Sequence, residues 1–124
     1  MIEIQNAGWY TSLQDLGRFG HQSLGVPISG AMDLNAFNWA NALLNNDPNA
    51  ACLEMTLRGA TLKFHQATHI AITGAMMPAL LNFNPVQMYE PIQINKGDVL
   101  QFSSTKEGCR TYLALLGGLQ TETV

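Results

Sequence analysis

Ala51–Phe64, ACLEMTLRGATLKF, alternates apolar and polar side chains twice, on either side of a glycine. Leu53, Met55 and Leu57 fall on one face of the first run, with Glu54, Thr56 and Arg58 on the other. That period of two belongs to a half-buried strand. Gly59 breaks the run, and the alternation resumes over Thr61–Phe64. The same short units continue downstream, at Ile70–Thr73, Ala79–Asn82, Ile92–Ile94, Val99–Ser103 and Thr111–Leu116. Gly74, Asn84-Pro85, Asn95-Lys96-Gly97-Asp98 and Lys106-Glu107-Gly108 punctuate them with turn residues. Many short strands at regular spacing predict an antiparallel barrel or sandwich. Upstream, Ile2–Gln5 reads as a first strand, ended at Gly8.

One helix is signalled between these strand regions. Asp33 is placed to cap it, because a carboxylate accepts from the free N–H groups of a first turn. Phe37, Ala40 and Leu44 follow at helical spacing, and Ala36, Trp39 and Leu43 widen the apolar face. Asn38, Asn41 and Asn45 fall on the opposite side, and Asn45-Asn46-Asp47-Pro48-Asn49 stops the helix. The expected class is mainly β with one or two helices, in a single domain spanning residues 1–124.

Thr11–Asp33, TSLQDLGRFGHQSLGVPISGAMD, interleaves glycines with Gln14, Asp15, Arg18, His21, Ser29 and Asp33. Glycine permits left-handed backbone and close approach, and ordered polar loops on a scaffold carry binding groups. The ordinary alternative is a long surface connection. Gly25 to Gly30 has the glycine spacing of a phosphate loop, but Ala31-Met32 stands where Lys-Ser/Thr is needed, so no nucleotide site is expected in this chain. His65 and His69 lack the intervening glutamate of a zinc-protease motif, and no metal site is expected. His21 is either a proton-transfer group or a loop histidine bonded to backbone. Arg18 either pairs with Asp15, Asp33 or Glu54, or clamps a ligand by its planar fork; for Arg110 the structural role is the expected one. Three asparagines on one helix face suit solvent, yet asparagine is a poor helix former, and they also suit a ligand or partner. Glu54, acidic within an apolar strand, needs a partner if its face is covered.

Composition narrows the partners. The chain has 124 residues, is 47% hydrophobic and only 12% charged, with a net charge of −3. That charged share is about half the usual one, which predicts exposed apolar surface and self-association. Six basic residues form no patch, so nucleic acid is not expected. Ile70–Leu81 is too short to span a bilayer, and MIEIQ does not read as a signal peptide. Cys52 and Cys109 lie in apolar strand-like segments and read as buried thiols of a reducing compartment, so a cytoplasmic protein is expected.

The glycine-rich segment resembles the N-terminal region of the biotin-dependent carboxyltransferase-like family, which includes the C component of 5-oxoprolinase and allophanate hydrolase subunit 2. The resemblance continues through ANALLNND at Ala40–Asp47, LEMTLRGATLKF at Leu53–Phe64, ITGA at Ile72–Ala75, KGDVL at Lys96–Leu100 and GCRTYLALLGG at Gly108–Gly118. It implies a cyclophilin-like antiparallel β-barrel and the N-terminal part of a longer protein of the C-component type. It further implies ATP-dependent cleavage of 5-oxo-L-proline to L-glutamate with A-like and B-like partner subunits, ATP being used by the complex and no cofactor bound by this chain. Two alternatives stand beside it. One is a regulatory binding protein that sequesters a B-like kinase-inhibitor subunit. The other is a carboxyltransferase domain acting on urea-like amides with carboxybiotin. The expected site lies in the loop, with Asp15, Arg18 and His21 catalytic and Gln14, Ser29, Gly30, Asp33 and Asn41 binding a small amide substrate. Backbone N–H groups, an arginine and a carboxylate together match an amide's N–H, its C=O and any charge developing on oxygen.

Overall fold

Alternation along the strands sorts the side chains into layers. The structure is a computed structural model that describes residues 2–8, 10–14 and 33–119. The strands are β1 (Ile2–Asn6), β2 (Tyr10–Gln14), β3 (Cys52–Thr56), β4 (Thr61–Phe64), β5 (Thr68–Met76), β6 (Ala79–Leu81), β7 (Asn84–Pro85), β8 (Ile92–Ile94), β9 (Val99–Phe102) and β10 (Glu107–Leu115). The helix α1 covers Leu34–Leu43. One sheet has the order β1-β4-β9-β6-β7 and the other β2-β3-β10-β5-β8, with every pairing antiparallel. The mainly β, antiparallel class is as expected. The described strands divide into two open sheets and do not close into one barrel.

The main core contains Leu53, Met55, Ile70, Ile72, Leu113 and Leu115 of the second sheet together with Leu62, Phe64, Leu100 and Phe102 of the first. The intervening residues of the second sheet face the other way, because successive strand residues alternate. There Cys52, Ala71, Tyr112 and Ala114 meet Ala36, Phe37, Ala40 and Leu44 of the helix region. The molecule is therefore layered as sheet, sheet and helix.

Three details depart from the sequence pattern. β2 lies inside the stretch read as loop, pairing with β3 from Tyr10↔Thr56 to Gln14↔Cys52. Few apolar residues mark it, because it is an edge strand of its sheet. On α1, Trp39 is 55% exposed and Asn41 only 1%. At 3.6 residues per turn, positions 37, 40, 41 and 44 share one face and 39 points away, so the buried stripe runs through Asn41. Leu57 does not continue the inward face of β3 but turns out with φ 66° and is exposed. Its N–H donates to Cys109 O and its carbonyl accepts from Thr105 N–H, which fixes it in this left-handed conformation.

Cys52 is fully buried, as expected, and burial pushes its thiol up from 9.0 to about 12, with the Asn41 hydrogen bond opposing the shift. A raised folded-state value means that the unfolded chain releases this proton first. Stability is then complete below pH 9 and is lost as pH rises toward 12, by up to about 1.4 kcal/mol per pH unit. Urea unfolding measured from pH 8 to 11 should show this loss beginning near pH 9, and Cys52→Ala should delay its onset. An identical profile for the variant would rule the thiol out as the cause.

Candidate functional site

The N-terminus of α1 is fixed by a chain of groups from three distant segments. Asp33 caps the helix, its Oδ1 accepting from Ala36 N–H at 3.1 Å. The Asp33 N–H donates to Tyr112 Oη at 2.9 Å, and the Tyr112 hydroxyl donates to Glu54 Oε2 at 2.5 Å. Tyr112 is fully buried and Glu54 is 5% exposed. Burial and the hydrogen bond to Glu54 both raise the Tyr112 phenol well above its ordinary value, so it is a neutral donor at physiological pH. Thr73 Oγ1 adds a buried bond to Ala36 O at 2.7 Å. The partner that Glu54 requires is thus a tyrosine hydroxyl, with Arg110 Nε 4.0 Å from its other oxygen.

Arg110 sits where β10 is irregular. The pairing of β10 with β5 shifts register between Glu107 and Thr111, and bulges of this kind re-aim side chains. Here the irregularity opens a cleft of about 410 Å³ lined by Asp33, Gly74, Ala75, Gly108, Cys109 and Arg110. Cys109 is exposed, contrary to the expected buried thiol, because the bulge interrupts the alternation that would have turned it inward. On the β5 side, Gly74 has φ 94°. The Tyr89 hydroxyl holds both of its backbone groups, accepting from Gly74 N–H at 3.0 Å and donating to Gly74 O at 2.9 Å. Tyr89 in turn packs edge-on against the exposed Trp39, with ring centroids 4.9 Å apart.

The residues expected to form the site fall in different places. Asp15, Arg18, His21, Ser29 and Gly30 lie outside the described residues. Gln14 ends β2, its Nε2 donating to Ser12 Oγ at 2.8 Å. Asp33 lines the cleft. Asn41 is buried, with both ends of its amide engaged inside the protein. Its Nδ2 donates to Ala50 O at 2.9 Å and its Oδ1 accepts from Asn46 Nδ2 at 3.0 Å. Buried polar groups need such partners, and Asn41 uses its amide to tie the helix to the chain that follows. A second cleft, of about 600 Å³, is lined by Asn38, Asn41, Ala42, Asn45, Asn46 and Pro48. His65 pairs with Glu3 at 2.9 Å on the surface. Among the described residues no group of three or more His, Cys, Asp or Glu side chains could hold a metal ion, and no helix is long and apolar enough to cross a membrane.

Sequence reasoning misses Tyr112 and puts the structural reading of Arg110 ahead of the ligand-clamping one. The signals for this cluster are Asp33 as a cap, Arg110 as a rare guanidinium, and Glu54, an acidic residue in an apolar strand.

Residues 24–124 match the family described as carboxyltransferase domain, subdomain A and B. The urea amidolyase of Lachancea kluyveri is 42% identical over 119 residues, covering 95% of this chain and 6% of that protein. The C component of 5-oxoprolinase from Escherichia coli K12 is 38% identical over 124 residues, covering 100% of this chain and 40% of that protein. Among solved structures, K. lactis urea amidolyase superposes with a TM-score of 0.88 at 40% identity, over 94% of this chain and 7% of that one. The chain therefore spans less than half of the length of each of these relatives.

Proposed function

We propose a function from one premise: this chain belongs to the carboxyltransferase domain family, subdomain A and B. The reading is a C-type component of an ATP-dependent 5-oxoprolinase in the cytoplasm, acting with A-type and B-type subunits on 5-oxo-L-proline to give L-glutamate. The observation that carries it is the match of all 124 residues, at 38% identity, to the C component of a 5-oxoprolinase.

The chemistry suits a site that positions an amide. A lactam C–N bond is resonance-stabilised, so its carbonyl oxygen is activated, most simply by phosphoryl transfer from ATP. Water then attacks the carbon, the ring C–N bond breaks with its nitrogen taking a proton to leave an acyl phosphate, and a second water hydrolyses that to the carboxylate and phosphate. Without the Lys-Ser/Thr of a phosphate loop, this chain is assigned substrate positioning and interface formation, with ATP handled elsewhere in the complex. Asp15, Arg18 and His21 are the proposed acting groups, and Gln14, Asn41, Ser29, Gly30 and Asp33 the binding groups. The bonds from Asp33 N–H through Tyr112 to Glu54 support this reading, since they hold the last of these residues rigidly at the helix start.

The test is ATP-dependent glutamate release by cognate A and B subunits with and without this chain. Activity that needs the chain is the expected result. In that complex Arg18→Ala should lower turnover about a hundredfold, the scale of losing one donor to a developing oxyanion. Unchanged kinetics would remove Arg18 from the site. Tight binding to the B subunit with no effect on turnover would favour the regulatory reading instead.

A second reading is favoured by the 42% identity to urea amidolyase. In it the same fold handles a urea-like amide with carboxybiotin, the biotin arriving on another protein or segment. Transfer of carboxylate from carboxybiotin to urea, with no glutamate release, would select it.

A further inference from the structure

The outer face of α1 carries no charge. Its sequence, LNAFNWANAL, includes neither an acid nor a base, although solvent-facing helix surfaces ordinarily carry charged groups. At 3.6 residues per turn, Asn35, Asn38, Trp39 and Ala42 share the side opposite the buried stripe, and all four are exposed. Ala42 is at the centre of that side. Trp39 packs edge-on against Tyr89, also exposed, so its ring is held in place while much of it still meets water. Asn38 and Ala42 also line the second cleft, of about 600 Å³, together with Asn45, Asn46 and Pro48. An exposed tryptophan next to an open cleft, on a helix face free of charge, has the composition of an interface centre.

We infer that this face is a two-fold interface between two copies of the chain, their α1 helices packing antiparallel across an axis at Ala42. Charge selects the occupant. A partner that presented acids or bases here would bury them without counter-charge, at a large desolvation cost. The matching surface must itself be uncharged, and the same face of a second copy meets that condition. Asparagine makes the match specific, because its amide is both donor and acceptor. A face of asparagines therefore pairs with itself, which a face of carboxylates or guanidinium groups cannot do. The small side chain of Ala42 lets the two helices approach closely at the axis. Residues equally spaced from the axis then meet, so Trp39 of each copy faces Asn45 of the other and fills its cleft. The indole N–H, a donor only, finds an acceptor in an asparagine carbonyl there. Antiparallel packing also sets each helix N-terminus beside the other's C-terminal turn, where the dipoles attract. The arrangement is closed, as a two-fold pair must be.

A residue on the axis meets its own copy, so substitution of Ala42 tests the symmetry itself. Sedimentation equilibrium of the parent chain, from micromolar to near-millimolar concentration, should show a reversible monomer–dimer equilibrium. Ala42→Glu and Ala42→Lys each set like charges against one another and should raise the dissociation constant at least about tenfold. Mixed in equal amounts, the two variants should form dimers again, with a constant near that of the parent. Both new residues are good helix formers at an exposed position, and an unchanged circular dichroism spectrum checks the fold. Trp39→Ala should weaken the dimer by a similar factor, as loss of a central anchor, and serves where a charged variant alters the fold. A parent chain that stays monomeric, a dimer indifferent to Ala42 and Trp39, or a mixture that does not recover overturns the inference. A monomeric chain that binds a B-type subunit, with binding lost in both Ala42 variants, would give the face to that partner and equally overturn it. The reaction plays no part in the argument. A dimer lost and recovered in this pattern upholds the inference whether or not the complex releases glutamate.

Discussion

Glu54→Ala is expected to destabilise the chain by about 3 kcal/mol, since removing one member of a buried charged cluster leaves the others uncompensated. The Tyr112 hydroxyl loses its acceptor at 2.5 Å, and Arg110 keeps its charge beside an empty space where Oε1 stood 4.0 Å away. Tyr112→Phe should cost less, about 1–2 kcal/mol, because it preserves the packing of the ring against Phe37 and removes only the hydroxyl. It leaves the Asp33 N–H without its acceptor. The two substitutions share one hydrogen bond, so their effects should not add, and the double-mutant cycle should return a coupling of about 1 kcal/mol or more. Urea unfolding with an unchanged slope measures all three terms. A Glu54→Ala midpoint equal to that of the parent chain would mean that the carboxylate is compensated by groups other than Tyr112 and Arg110. The result also bears on the site, because the same chain of bonds fixes Asp33, on the wall of the cleft.

Gly74→Ala is expected to be at least as damaging, with a loss on the order of 3 kcal/mol or failure to fold. Two costs combine at this position. The backbone is left-handed at φ 94°, which an alanine adopts at a cost of about 1 kcal/mol or more. A Cβ there would stand 2.5 Å from Arg110 O and 3.2 Å from Thr111 Cα, both backbone atoms of the paired strand β10. Relief requires β5 to move away from β10, opening the register Thr111↔Gly74 at the edge of the bulge. Gly97→Ala is the control. Its φ is 92° but nothing lies within 4 Å of the added Cβ, so it should cost only about 1 kcal/mol, the conformational part alone. Melting temperatures of the two variants separate the terms. Equal shifts would show that β10 yields to the methyl group and that the cleft wall is soft.

Much of the architecture is legible in the sequence because strand and helix periods are local. The alternation of Leu53, Glu54 and Met55 places Glu54 away from the main core without any knowledge of partners, and the structure confirms that face. Asp33 is legible as a cap for the same reason, since capping involves residues three apart. Periodicity fails where the backbone departs from regularity. It turns Cys109 inward, but the register shift between Glu107 and Thr111 places that residue on the surface. Polarity alone puts Trp39 on the buried face of the helix and Asn41 on the outer one. Helix geometry and the Ala50 and Asn46 partners of Asn41 reverse both.

The sequence by itself determined the antiparallel β class, the helix with its cap, and the family, because these depend on side-chain order along short stretches. Tertiary structure decided which charges meet. Asp33, Glu54 and Tyr112 come from segments up to 79 residues apart, and no spacing in the chain announces that a tyrosine hydroxyl will join a helix N-terminus to a buried carboxylate. The cleft of Arg110 and Cys109 is likewise a product of pairing. It exists because β10 must keep its bonds to β3 and β5 on either side while taking up a bulge, and a bulge is set by the register of both neighbours together.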